Sequence, residues 1–169
     1  EIFADKIGLM LARDLSKEYP GAKFVVDVKS TGLYKTDPVL EENGSTVDYY
    51  KTGHSYIKRR TPDLDALAGF EKSGHFFFRP PIGLGYDDGL IAANAILEML
   101  DRNPDKTMAD LKGELGVAFT SLTMYPHSAD EVKYEVIERI VEEYKGLLGA
   151  EILGRKVVDV NTVNGARVT

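Results

Sequence analysis

Apolar residues at the start of the chain fall at helical spacing. Between Asp5 and Tyr19, Ile7, Leu11 and Leu15 recur every four residues with Met10 beside them, which predicts an amphipathic helix. Pro20-Gly21 ends it. The period then changes. Lys23 to Val28 is a short, nearly continuous apolar run, as expected of a strand in a sheet covered on both faces. A helix or turn containing Asp37-Pro38 leads to Asn43-Gly44, and Thr46 to Tyr50 reads as a second strand. Ser55 to Arg60 predicts a short helix halted near Thr61-Pro62. Leu67 to Gly69 and His75 to Phe78 read as short strands. Asp87 to Asp101 reads as a helix with Leu90, Ala93, Leu97 and Leu100 on one face. Strand, helix, strand is the signature of an α/β layered domain, in which ligands sit outside the carboxyl ends of the strands.

Past Gly116 the pattern changes character. Val117 to Tyr125 reads as a connector or strand. Ser128-Ala129-Asp130-Glu131 has the form of a capping box, predicting a helix to about Leu148 that buries Val132, Val136, Ile140, Tyr144 and Leu147. Lys156 to Val160 and Ala166 to Thr169 read as strands around the turn signal Asn164-Gly165. One helix and two strands make a small core for an independent domain. The expected organisation is therefore an α/β domain over 1–116 and the truncated start of a small α+β domain over 117–169.

Composition narrows the function classes. With 21 basic and 27 acidic residues, the formal net charge of −6 argues against general nucleic-acid binding, which needs a basic face. The one basic cluster, Lys58-Arg59-Arg60, is expected to be a solvated helix end. No cysteine is present, so disulfides and thiolate metal sites are excluded. No apolar run approaches the ~20 residues needed to span a membrane. The chain opens at Glu1 without a methionine and stops in a strand-like stretch at Thr169, so it is expected to be a piece of a longer, cytoplasmic protein.

Two runs carry candidate chemistry, Lys51-Thr52-Gly53-His54 and Glu71-Lys72-Ser73-Gly74-His75, each with glycine directly before histidine. Glycine lets the backbone turn sharply and approach a ligand closely. The histidine then donates to an oxyanion or exchanges a proton near neutral pH. Cations suit phosphate, and a carboxylate suits vicinal hydroxyls, so the set fits a phosphorylated sugar. In an extended loop Glu71 and Ser73 point the same way and together grip ring hydroxyls. The bland alternative is a solvated hairpin in which Glu71 pairs with Lys72 or Arg59. His75, ahead of Phe76-Phe77-Phe78, is expected to be partly desolvated. Its bland reading is a histidine satisfied at the sheet edge, and that of Lys51 an exposed strand end. Lys29-Ser30-Thr31 follows the first strand, with Ser30 or Thr31 read as a helix cap. Asp87-Asp88 is read as an acidic helix start rather than a metal site. His54 and His75 have no obvious third partner for zinc.

Three strings carry a resemblance. Lys51-Thr52-Gly53-His54-Ser55-Tyr56-Ile57-Lys58, Glu71-Lys72-Ser73-Gly74-His75-Phe76-Phe77-Phe78 and Gly85-Tyr86-Asp87-Asp88-Gly89-Leu90 follow one another across about forty residues. In order and spacing they resemble the α-D-phosphohexomutases, and most closely the bacterial phosphomannomutase/phosphoglucomutase group. The resemblance implies the third domain of such an isomerase over 1–116 and the start of the fourth beyond, stopping before its Arg-x-Ser-x-x-x-Pro phosphate loop. It implies that Glu71 and Ser73 contact the sugar O3 and O4, that His54, Lys51 and Lys29 line the cleft, and that His75 contacts phosphate or acts as acid and base. It also implies a phosphoserine and a magnesium ion. The magnesium is held by an Asp-Gly-Asp-x-Asp loop which this chain lacks and which would lie upstream of Glu1, so no metal ligand is expected here. Hexose phosphates are the implied partners, with glucose or mannose 1,6-bisphosphate as intermediate. The missing N-terminal domains are needed for turnover, so the fragment alone is expected to be inactive. Two residues depart from the family pattern. Phe70 stands where glycine is usual, which would reshape the sugar loop, and Lys72 stands where methionine or glutamine is usual. A phosphoglucosamine mutase and a non-catalytic sugar-phosphate binding module are the alternatives.

Overall fold

A computed structural model describes residues 1–118 and 124–169, and the chain separates into two compact units, Glu1–Ala118 and Phe119–Thr169. In the first unit, helix α1 (Ala4–Glu18) precedes strand β1 (Lys23–Asp27), a 3-10 turn (Gly32–Lys35), helix α2 (Pro38–Glu42) and strand β2 (Thr46–Tyr50). Helix α3 (His54–Asp63), the hairpin of β3 (Ala68–Phe70) and β4 (Phe76–Phe78), and helices α4 (Gly89–Asp101) and α5 (Met108–Gly113) follow. The sheet order is β2-β1-β3-β4. The first three strands are parallel, and β4 returns antiparallel to β3. This is an α/β layered domain with a mixed sheet.

The period of two along each strand explains the layering. Phe24, Val26, Ala68, Phe70, Phe76 and Phe78 share one core with Leu11 and Leu15 of α1, Met99 of α4 and Leu111 of α5. Val25 and Phe77, on the opposite face, pack with Ile57 of α3 and Ala66. Gly69 faces the same way, and a Cβ there would lie 2.8 Å from Ile57 Cγ2 and 2.5 Å from Thr61 Oγ1. Glycine is what lets α3 lie this close to the sheet.

Several elements differ from the sequence expectation. Helix α3 runs through Pro62 instead of halting before it. The proline falls in the last turn, where it removes a single amide, and Leu64 N still closes onto Arg60 O at 3.1 Å. Lys58, Arg59 and Arg60 therefore lie within the helix. Arg60 pins it to β2 through Asp48, at 2.8 Å. Helix α4 turns a different face inward: Ala95 and Met99 are buried, while Leu90 is 83% and Leu97 64% exposed. The helix is apolar nearly all round, so spacing alone does not select the buried stripe. Helix α5 was not expected at all. Its signal is a capping box in which Thr107 and Asp110 satisfy each other's free amides.

In the second unit, helix α6 (Lys133–Lys145) starts later than predicted. Val132 and Lys133 donate to Ala129 O, the cap residue Val132 makes no side-chain bond, and the expected Ser128 box is not formed. The helix ends at Lys145 rather than Leu148. Val136, Ile140, Tyr144 and Leu147 form its least exposed face, half-buried rather than buried, and Val132 is exposed. Beyond it, β5 (Glu151–Ile152) pairs with β6 (Arg155–Lys156), and β7 (Val160–Asn161) with β8 (Arg167–Val168). The predicted strand 156–160 is thus divided between two hairpins: Val157 N bonds Ala150 O, and Val158 N bonds Thr169 O. The core of the predicted connector 117–125 lies outside the described residues. Among the described residues, no helix is long and apolar enough to cross a membrane.

Candidate functional site

The carboxyl ends of β1, β2 and β3 bring three loops to one edge of the sheet: 27–31, 51–54 and 71–75. Two buried carboxylates tie them together. Asp27, 2% exposed at the end of β1, accepts from Ser30 Oγ within its own loop, from Thr52 Oγ1 of the second loop at 3.3 Å and from Lys72 N of the third at 3.1 Å. Glu71, 1% exposed, accepts from Gly53 N at 2.8 Å through Oε1. Its Oε2 is buried without a protein partner among the described residues. Gly53 has φ +133°, a conformation that L side chains rarely adopt, and a Cβ there would meet the Tyr56 ring at 3.1 Å. It aims His54 out of the first position of α3.

His54 and His75 meet above these carboxylates. Their rings sit edge to face with centroids 5.4 Å apart, and His54 also packs on Phe77 at 5.0 Å. Asp87, ahead of α4, stands between them. Its Oδ2 lies 2.6 Å from His75 Nδ1 and 3.7 Å from His54 Nε2, while Oδ1 accepts from Phe76 N at 3.3 Å. Both imidazoles keep nearly half of their side-chain surface in solvent. Lys51 Nζ lies 5.7 Å over the Tyr56 ring, and Lys29 and Ser73 are exposed at the same edge. Thr31 accepts from Leu33 N as the cap of the 3-10 turn and from Lys6 Nζ at 2.9 Å. Burial holds the Lys6 ammonium below the ordinary lysine value. Asp5 opposes that shift, and Lys112 and Lys72 add to it.

All six predicted residues thus lie at one end of the sheet, but some do not sit as expected. The 71–75 loop is a turn, with Gly74 N bonded to Glu71 O at 3.0 Å. Glu71 therefore points inward and Ser73 outward, whereas an extended loop would have aimed both the same way. Glu71 pairs with neither Lys72 nor Arg59. The His75 side chain keeps 46% of its surface in solvent, so about half of it is withdrawn from water. Of the two aspartates, only Asp88 caps α4, accepting from Leu90 N and Ile91 N, while Asp87 turns back to the histidine. The Phe70 side chain points into the core, away from the loop. It is fully buried against Phe24, Phe76 and Phe78. Asp27 was missed as a site residue. Its one signal is an acidic residue closing an otherwise apolar strand.

The donor set does not suit magnesium. Asp27 already accepts from three protein donors, Asp87 is engaged by His75, and among the described residues no group of three or more His, Asp or Glu could hold a metal ion.

Known proteins resemble this chain in sequence and fold. Residues 3–116 match the family model described as phosphoglucomutase/phosphomannomutase, alpha/beta/alpha domain III. Over 99% of its length the chain is 32% identical to the phosphoglucomutase of Neisseria gonorrhoeae, covering 34% of that protein. Over 61% of its length it is 37% identical to the phosphomannomutase/phosphoglucomutase of Pseudomonas syringae pv. tomato, covering 22% of that protein. The crystal structure of a phosphoglucomutase/phosphomannomutase family protein from Burkholderia thailandensis is similar at a TM-score of 0.70 and 28% identity, over 99% of this chain and 32% of that one. The chain spans about a third or less of the length of these relatives. It belongs to the phosphoglucomutase/phosphomannomutase family of isomerases and carries the family's α/β/α domain III.

Proposed function

We propose that this chain is the sugar-positioning part of a mutase interconverting hexose 1-phosphate and hexose 6-phosphate, with mannose or glucose as the sugar. The observation that carries the reading is the pair of buried carboxylates, Asp27 and Glu71, locking three loops so that His54, His75, Lys51, Lys29 and Ser73 share one open edge. Cations and imidazoles there bind phosphate, and Ser73 bonds a ring hydroxyl. The unpaired Oε2 of Glu71 accepts from a neighbouring hydroxyl once the Lys72–Gly74 turn lifts. A buried carboxylate oxygen without a partner is costly, so a ligand hydroxyl that reaches it gains a charge-assisted hydrogen bond. His75 contacts phosphate or moves a proton at a sugar hydroxyl.

In this reading the remaining machinery belongs to the other parts of a full-length mutase. A phosphoserine there is the phosphoryl donor, and the sugar passes through a 1,6-bisphosphate that turns over between two transfers. Magnesium, when bound by its own loop there, neutralises phosphate charge. Phosphoryl transfer needs all these parts positioned together, so the 169-residue chain binds hexose phosphate without turning it over. Calorimetric titration with mannose 1-phosphate and glucose 1-phosphate tests this directly. Binding should weaken roughly tenfold in Glu71→Gln, since a charged acceptor becomes a neutral one. An unchanged affinity removes the loop from the site, and measurable turnover by the chain alone overturns the division of labour.

A further inference from the structure

We propose that Asp87 is the positioning residue of this edge, fixing the tautomer of His75 so that Nε2 is the nitrogen offered to the substrate. The role as a substrate-facing base rests on the reading of function above; the tautomer itself does not. At 2.6 Å from Asp87 Oδ2, His75 Nδ1 is in hydrogen-bond contact, and a carboxylate oxygen accepts, so the proton sits on Nδ1. In the neutral ring Nε2 then carries the lone pair. It takes a proton rather than gives one, so a substrate hydroxyl meets a defined acceptor.

The backbone around Asp87 is built to hold this contact. Asp87 pairs with Phe77 in an isolated antiparallel bridge, and its Oδ1 accepts from Phe76 N, so the carboxylate is fixed to the strand that follows His75. Asp88, one residue on, does the capping of α4, which leaves Asp87 available. His54 provides an internal comparison. Its Nε2 stands 3.7 Å from the same oxygen, beyond hydrogen-bond length, so Asp87 does not set its tautomer. One carboxylate therefore makes two neighbouring imidazoles chemically unequal.

Long-range proton–nitrogen correlation spectra of the labelled chain, recorded where imidazoles are neutral, read both rings directly. We expect His75 with a protonated Nδ1 and a bare Nε2. In Asp87→Ala the population should move to the Nε2-protonated form, with the His54 pattern retained. If Asp87→Ala disturbs the fold, as its amide spectrum would show, the wild-type spectrum still decides the matter. A wild-type His75 protonated on Nε2 overturns the proposal, as does a folded Asp87→Ala with an unchanged tautomer. Adding mannose 1-phosphate separates the two readings. A His75 Nε2 resonance that shifts supports both. A correct tautomer with no response to ligand keeps Asp87 as positioning residue and overturns the sugar-phosphate assignment instead.

Discussion

Replacing Asp27 tests whether one buried carboxylate holds the site together. In Asp27→Ala the Lys72 amide loses its acceptor, which costs about 1–3 kcal/mol for a buried donor left unpaired. The Ser30 and Thr52 hydroxyls lose theirs too. Because hydroxyls can rotate to other partners, about 0.5–1 kcal/mol each is a fair allowance. The relief of no longer burying a charge offsets part of this, leaving a net loss of about 3 kcal/mol. Asp27→Asn keeps one oxygen for Ser30 and Lys72 and turns an amide toward Thr52, whose hydroxyl can accept. Its cost should stay near 1 kcal/mol. For a unit of this size the alanine variant should melt roughly 10–20 °C lower. The chain has no tryptophan, so urea and thermal unfolding are best followed by circular dichroism. An alanine variant within about 1 kcal/mol of wild type, or an asparagine variant as unstable as alanine, would refute the argument that this group ties three loops.

The inward face of α4 is checked by contrasting Met99→Ala with Leu97→Ala. The first empties a core position and should cost about 2–5 kcal/mol, while the second, at an exposed position, should change unfolding by less than about 0.5 kcal/mol. Acid should weaken the fold modestly. Asp65, Asp110 and Glu114 are each held below the ordinary carboxylate range, chiefly by hydrogen bonds from Arg79, Thr107 and Lys106, so their contribution is complete above that range and is lost as pH falls through the folded-state values. Because all three are exposed, the acid limb should shrink in high salt, as denaturation midpoints against pH will show. Tyr34 acts at the other end. Burial first, then Tyr49, Asp5 and Asp27, push its phenol well above the ordinary value, so stability is present below that value and falls as pH rises past it.

Elements whose amphipathic pattern has a single solution were legible in the sequence, and those with more than one were not. Helix α1 has one apolar stripe, β1 is a short and mostly apolar run, and β2 is rich in β-branched and aromatic residues, both strands being bounded by turn residues. Helix α4 has apolar residues on nearly every side, and only the sheet it packs on decides that Met99 goes in and Leu97 stays out. The Ser128 box has the right letters and fails, while the Thr107 box of α5 forms. A capping motif satisfies free amides only where the chain already begins a helix. Among the described residues no α6 side chain is fully buried, so little besides local preference fixes where that helix starts.

The candidate site divides along the same line. Its exposed members, His54, His75, Lys51, Lys29 and Ser73, were legible because they cluster in short runs with glycine at the turn. Glu71 was legible as a site residue too, but the ties that hold those runs in place were not, because they join residues far apart in the chain. Asp27 reaches Thr52 across 25 positions and Lys72 across 45, and Glu71 reaches Gly53 across 18. The local sequence marks the carboxylate but not its partners, since burial and partner exist only once the parallel strands have placed three loops side by side. Asp87 illustrates the point within a single dipeptide. Its neighbour Asp88 does the capping that any acidic residue at a helix start would be expected to do, and Asp87 is turned by the β4 bridge toward His75. The sheet edge therefore contributes more than a platform. It converts two unremarkable aspartates and a glutamate into the framework that gives two exposed histidines a defined orientation, and on that orientation any chemistry at this edge depends.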